Sequence, residues 1–234
     1  MSEQIISLNN ENKEIELVDC SSLKVDIKNG SNLLLKIVNF NVDEDIKING
    51  EIGKDSSIKV IYADFTQDNV NASVRFLLTN EGAKAEWMLA TLSEKNQNKV
   101  FDVSFIHEVG HTVASMNNYG VAKDSSKIVF SGVNHIKEHA KESKTSQNAK
   151  IIVFDKASQG VASPILKIDE NDVSASHGAV VGQLNNEHMF YLMSRGLSKN
   201  DAKELIIRGY LQPISKYFSS SIQQKIESSI KEAL

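Results

Sequence analysis

His107-Glu108-Val109-Gly110-His111 matches H-E-x-x-H, the arrangement in which two imidazoles hold zinc and a carboxylate activates water for hydrolysis. That chemistry requires a helix, where four residues advance about 6 Å and both rings face the same way. The surrounding residues alternate with period two instead. Phe101, Val103, Phe105, His107, Val109, His111 and Val113 all fall on one side of an extended chain. Extension places the two histidines about 13 Å apart, too far for one ion. Gly110 and the β-branched neighbours also disfavour a helix. Ala114 and Asn117 stand where the longer form of the motif needs glycine and a third histidine. The segment reads as strand, and a zinc hydrolase using His107, Glu108 and His111 is the remote alternative. His135 and His139 repeat the i, i+4 spacing. Stacked strands could bring the four histidines together as a surface or intersubunit metal site; otherwise they are strand and turn residues.

His177 lies in Ser174-Ala175-Ser176-His177-Gly178-Ala179, where a polar strand end meets a helical tail. Before a glycine, at the rim, its imidazole can act as a soft-metal ligand or proton carrier, or serve as a hydrogen-bonded structural residue. The chain has no G-x-x-x-x-G-K-[ST] phosphate loop, no G-x-S-x-G elbow and no G-x-G-x-x-G fingerprint. An ATP-driven process would therefore need a partner ATPase.

The elements that must hold these residues show two periods. From about residue 13 to 168, apolar residues alternate with charges, as in Leu23-Lys24-Val25-Asp26-Ile27 and Ala83-Lys84-Ala85-Glu86-Trp87. Turn residues such as Asn29-Gly30-Ser31-Asn32 and Lys54-Asp55-Ser56-Ser57 separate these stretches every ten to fifteen residues. This predicts an all-β core, as sandwich, barrel or irregular solenoid. Near residue 182 the period becomes helical, dividing the chain into a β core over 1–182 and a helical region over 183–234. Gly196 is placed to end a first helix in a left-handed cap. Ser198, with Asp201 three positions on, opens a second. Ala202, Leu205, Ile206 and Tyr210 make one apolar stripe, Pro213 bends or restarts the chain, and Ile222, Ile226 and Ile230 recur at i+4. Each stripe either packs on the β core or docks another protein.

Composition excludes several classes. The net charge is −4, and only Arg75, Arg195 and Arg208 among the 26 basic residues are arginine. That inventory argues against nucleic-acid binding. A single cysteine, Cys20, excludes an internal disulfide and a thiolate cluster within one chain, and fits a reducing compartment. No apolar run reaches membrane-spanning length and the start of the chain is polar and acidic, so a cytoplasmic location without membrane association is expected.

The run Asp172-Val173 through Ser176-His177-Gly178-Ala179 to Val181-Gly182-Gln183-Leu184 resembles the SufB/SufD family of the SUF iron–sulfur assembly system, in its SufD-like branch. Phe190-Tyr191-Leu192, Ser194-Arg195-Gly196-Leu197 and the helix after them extend the likeness. So do Tyr119-Gly120-Val121, Phe130-Ser131-Gly132, Gln147-Asn148 and Pro164-Ile165-Leu166-Lys167-Ile168. The resemblance covers residues 100–215 well and the earlier strands only in style. It implies a right-handed parallel β-helix followed by a helical C-terminal region. It also implies pairing with a SufB-like subunit through the β-helices and docking of a SufC-type ABC ATPase on the C-terminal helices, with Arg195, Leu205, Ile206 and Tyr210 as docking candidates. His177 matches the histidine implicated where iron or a nascent cluster is held at the subunit interface. No cofactor is expected to stay bound to the isolated chain, and a transient iron or iron–sulfur cluster is expected in the complex. Self-pairing into a homodimer is open when no partner is present. The expected role is that of a non-enzymatic scaffold subunit, with a purely structural adaptor as the alternative. Two departures stand out. The branch commonly reads Cys-Ser-His-Gly where this chain has Ala175-Ser176-His177-Gly178, and the long helical N-terminal region of many members is missing, which makes this a compact version.

Overall fold

Period-two alternation gives each strand one apolar face, and parallel stacking is what buries those faces against one another. The computed structural model describes residues 3–233, without the side chain of Gln212. Odd-numbered strands form one sheet: β1 (Gln4–Asn9), β3 (Ser22–Lys28), β5 (Ile46–Ile52), β7 (Val70–Leu78), β9 (Asn98–His107), β11 (Lys127–Ile136) and β13 (Gln159–Ile168). Even-numbered strands form the other: β2 (Asn12–Val18), β4 (Asn32–Asn39), β6 (Ser57–Asp64), β8 (Lys84–Ser93), β10 (Val113–Ala122), β12 (Lys144–Val153) and β14 (Ser174–Gln183). Each sheet runs in sequence order, every pairing between neighbours is parallel, and the chain passes from one sheet to the other at each turn. The result is a β-solenoid, followed by helices α1 (Asn186–Ser194), α2 (Lys199–Ser215) and α3 (Ser220–Glu232). Strand structure thus begins earlier than residue 13 and continues past 168, through β14.

The solenoid widens along its axis. Asn12 stands opposite Asn32, a spacing of 20 residues, whereas Val113 stands opposite Lys144, a spacing of 31. Strands lengthen from 6 to 10 residues in parallel. This drift hides the repeat from the sequence. Inside, one continuous core runs from Leu8 to Val153. Aromatic rings stack between rungs, with centroids 5.3 Å apart for Tyr62 and Trp87 and 5.8 Å for Phe76 and Phe105. Such offset pairs add to the burial of their area.

Turns stack as well as strands. Gly30, Asp55, Gly82, His111 and Glu142 form a column with φ between 51° and 77°. The amide of each donates to a carbonyl of the next turn, for example His111 N–H to Lys141 O at 2.8 Å and Gly82 N–H to His111 O at 3.2 Å. At Gly110 a Cβ would lie 2.6 Å from Lys141 O, so this position needs glycine. The segment 108–112 is therefore a turn. The expected continuous strand through His111 and Val113 stops at His107, because turn stacking takes over there.

One inward position on each of two strands carries charge. Lys99 has the same parity as Phe101 and Val103, and Asp64 the same as Val60 and Tyr62; both are fully buried. Lys99 Nζ donates to Asp64 Oδ2 at 2.7 Å, and to the carbonyls of Thr66 and Leu92 at 2.8 Å each. The hydroxyls of Thr66 and Thr91 donate to the two carboxylate oxygens. All three ammonium protons are thus used, the condition under which a buried ion pair is tolerated.

The outer face of the even-numbered sheet is covered by the tail. In β4, β6 and β8 the alternation ends in five consecutive buried residues, because α2 and α3 lie over those strand ends. A second core joins Val38, Ile61, Ala90, Leu92 and Val121 to Ile207, Leu211 and Ile214 of α2, Phe218 of the link after it, and Ile222, Ile226 and Ile230 of α3. Helix α3 is tied near one end to β2, through Ser219 N–H to Glu16 Oε2 at 2.9 Å. At its other end Ala233 O accepts from Lys123 Nζ. At about 1.5 Å per residue, its 13 residues match the few rungs it crosses. Of the expected stripe Ala202, Leu205, Ile206 and Tyr210, Ala202 is buried, Leu205 is 51% exposed and the other two are half-buried; the buried line of α2 continues from Ala202 through Ile207 and Leu211. Packing on the sheet rotates the helix one position from the stripe its spacing suggested. Pro213 sits in its last turn, and the helix ends two residues later.

Asp64→Ala should cost about 3–5 kcal/mol, since it leaves the Lys99 ammonium buried and unpaired. Urea unfolding of Asp64→Ala and of the Asp64→Ala/Lys99→Met double variant checks this, with the double variant expected to be the more stable. Equal losses in the two would show that the charge is not the cause.

Candidate functional site

The four mid-chain histidines are placed separately by this architecture. His107, the last residue of β9, points into the core and is fully buried. Its Nδ1 lies 2.7 Å from Thr112 Oγ1, and Nε2 has no hydrogen-bond partner. Burial, with His135 nearby, pushes its pKa down to about 4. Glu108 accepts from Lys137 Nζ at 2.6 Å. His111 is exposed in the turn column, 3.5 Å from Glu142 Oε2. His135 Nε2 is 2.7 Å from Asp169 Oδ2, a contact that holds the Asp169 carboxyl below its usual range. His139 is exposed at a turn with φ 69°. Among the described residues no group of three or more His, Cys, Asp or Glu is placed to hold a metal. The H-E-x-x-H segment thus faces three ways, one residue in the core and two outside.

His177 belongs to a different setting. Strand β14 pairs with β12, Gln147 opposite His177, so an inward column runs Trp87, Met116, Gln147, His177. The first three are buried. His177 is exposed because β13 and β14 are the last strands of their sheets. The interior of the solenoid is therefore open at this end. Ala175, His177, Ala179 and Val181 face it from β14, and Ala162, Pro164 and Leu166 from β13. Beneath them Gln147 crosses the core and donates to Ile165 O at 2.8 Å. Gly132 leaves room for it: a Cβ there would meet Gln147 Oε1 at 2.5 Å. Both terminal strands are ten residues long, and β14 contains neither charge nor proline, the features that normally blunt an unpaired edge. Val180 is 58% and Ile165 50% exposed.

Cys20 is at the opposite end of the solenoid. It is buried between β2 and β3, and burial pushes its thiol pKa up, which suits an inert side chain.

A second exposed apolar surface starts just after β14. Asn185 Oδ1 caps α1 by accepting from the amides of Glu187 and His188. Gly196, at φ 96°, ends it as the sequence predicts. Its amide donates to Met193 O at 3.0 Å and that of Leu197 to Leu192 O at 3.4 Å, a Schellman pair. Ser198 opens α2, its Oγ accepting from Asp201 N–H at 3.1 Å. Phe190 is 75% exposed, and Tyr191, Met193 and Leu205 are also exposed. Arg195 stacks over the Tyr191 ring, 5.2 Å from its centroid. The one signal in the sequence that Phe190 and Met193 are surface residues is their i, i+3 spacing without a facing apolar strand.

A sequence profile described as "SUF system FeS cluster assembly, SufBD core domain" matches residues 7–210. This chain belongs to the SufBD core family. It is 30% identical over 162 residues to the iron–sulfur cluster assembly protein SufD of Bacillus subtilis, covering 69% of this chain and 37% of that protein. It is 29% identical over 140 residues to an iron–sulfur cluster assembly SufBD family protein of Staphylococcus saprophyticus, covering 60% of this chain and 30% of the relative. A Staphylococcus epidermidis family member is 27% identical over the same length. The chain thus spans about a third of the length of these relatives. The SufD-like likeness and the β-helix expected from it stand. No helix among the described residues is long and apolar enough to cross a membrane.

His107 gives a pH prediction. Between about pH 6.5 and 4 the unfolded chain binds a proton at this imidazole that the folded chain does not. Stability therefore falls as pH drops through that window and levels off below it, by roughly 3 kcal/mol in all. His107→Leu should remove this component, so the difference in unfolding free energy between variant and wild type should change across pH 4–6.5. A difference independent of pH would contradict the assignment.

Proposed function

We propose that the chain is a SufD-like subunit of an iron–sulfur cluster assembly scaffold. It pairs through its open terminal rung with a SufB-like subunit and docks a SufC-type ATPase on its helical region, in a cytoplasmic setting. The observation that carries this reading is the uncapped β13–β14 rung, which presents His177 at the mouth of the solenoid within a matched family core. Two unpaired parallel edges and an exposed interior are unfavourable in water, and a partner's strands satisfy both at once.

In this reading His177 offers one imidazole at the interface to the iron or nascent cluster, which is the cargo. Iron–sulfur clusters are held chiefly by Cys thiolates. Ala175 supplies none and Cys20 is buried far away, so the remaining ligands come from the SufB-like partner. Helices α2 and α3, fixed to the even-numbered sheet by a shared core, form a stiff strap. Displacement at α1 and the start of α2 is passed to the rungs beneath. The chain acts as scaffold, and ATP hydrolysis belongs to the partner.

The alanine at 175 also favours a second reading, an adaptor that completes the complex without touching iron. His177→Ala separates the two. On the scaffold reading the reconstituted three-protein complex keeps its mass and loses several-fold in cluster yield; unchanged yield leaves the adaptor. Leu205→Asp should weaken ATPase capture in co-purification while sparing the SufB-like subunit. Loss of both partners together would instead assign α2 a purely structural role.

A further inference from the structure

Between the ends of β12 and β14 and the helices α1 and α2 lies an open groove of about 540 Å³. Its apolar lining comes from Phe154, Leu184, Met189, Phe190 and Met193. Phe190 and Met193 stand out from its edge, 75% and 45% exposed, rather than closing around a cavity with convergent polar groups. That shape suits an apolar segment of a protein better than an enclosed small molecule.

The rim is cationic. Lys156, just after β12, and Lys199 and Lys203, one turn apart on α2, line the groove. Lys156 and Lys199 are exposed and make no ion pair among the described residues. Lys203 Nζ lies 5.9 Å from the centre of the Phe154 ring. The neighbouring carboxylates make their contacts with other groups. Asp155, the acidic residue of the lining, accepts from Asp124 N–H at 2.7 Å. Asp201 accepts from Ser198 Oγ at 2.6 Å. Glu204 pairs with Arg208 at 2.8 Å. Three lysines with no carboxylate partner among the described residues thus surround apolar side chains in a protein whose net charge is −4.

We propose that this groove is the seat of an apolar, carboxylate-bearing segment of the ATPase partner, with the lysines meeting its acidic flanks and the apolar lining taking its hydrophobic face. The inference rests on the ATPase-docking reading and adds the chemistry of the partner's surface. Complementary rim charges steer encounter and fix orientation, and like charges placed opposite each other are strongly unfavourable.

The test is calorimetric titration of the full chain with the purified SufC-type ATPase of the same organism, at low and at moderate salt. Lys156→Glu/Lys199→Glu, a change of two exposed side chains, should weaken binding by roughly tenfold or more and flatten its salt dependence. Phe190→Ala should weaken it with the salt dependence retained. Circular dichroism should show both variants folded. Wild-type binding with no effect of charge reversal would overturn the inference and leave ATPase docking standing; no effect of Phe190→Ala would move docking off this groove. If the wild type fails to bind the ATPase at all, the docking reading falls and this inference with it. A wild-type dimer that the charge-reversed variant dissolves would give the groove to a second copy instead.

Discussion

In a parallel solenoid each rung satisfies its backbone by bonding to the rungs on either side, so the end rungs have groups with no partner. Everything distinctive about this chain follows from how the two ends meet that constraint. At the start the terminal strands are short, six and seven residues, and α3 is fastened to β2 through Ser219 and Glu16. At the other end the strands are at their full ten residues, uncharged in β14, with apolar side chains exposed inside and outside. An edge of that kind is a liability in a free protein and an interface in an assembled one.

The helical tail answers a second need of the same architecture. A sheet in a solenoid has an outer face too, and where that face turns apolar something must cover it. The runs Val60-Ile61-Tyr62-Ala63 and Leu89-Ala90 break the alternation because α2 and α3 lie over them. Coverage recedes by β12, where alternation returns. The helices are consequently packed down along most of their length, and their exposed large apolar side chains, Phe190, Tyr191, Met193 and Leu205, are confined to α1 and the first turns of α2. The two free surfaces lie side by side, joined by two residues between β14 and α1, so an event at one is mechanically close to the other.

Much of this was legible in the residues. Period two, turn residues at short intervals, the Gly196 cap and the Ser198 start all translate directly into structure, since each rests on local geometry. The buried Lys99–Asp64 pair had a signal as well, in that both charges share the parity of core residues. The growth of the rungs did not, because loop lengths follow from the widening of the whole solenoid. Nor did the rotation of α2 that buries Ile207 and exposes Leu205, a product of packing against a sheet whose shape no local pattern records. For His177 the local sequence gave a rim position. That it continues the inward column of Trp87, Met116 and Gln147 needed the register of β12 with β14.

Amide hydrogen exchange on the last rung tests the central claim most directly. In the isolated chain, edge-facing amides of residues 159–168 and 174–183 should exchange far faster than those of β7 to β10. Adding the SufB-like subunit should slow them strongly, with the outer face of the odd-numbered sheet unchanged. Protection confined to other strands, with the last rung still exchanging freely, would contradict the account.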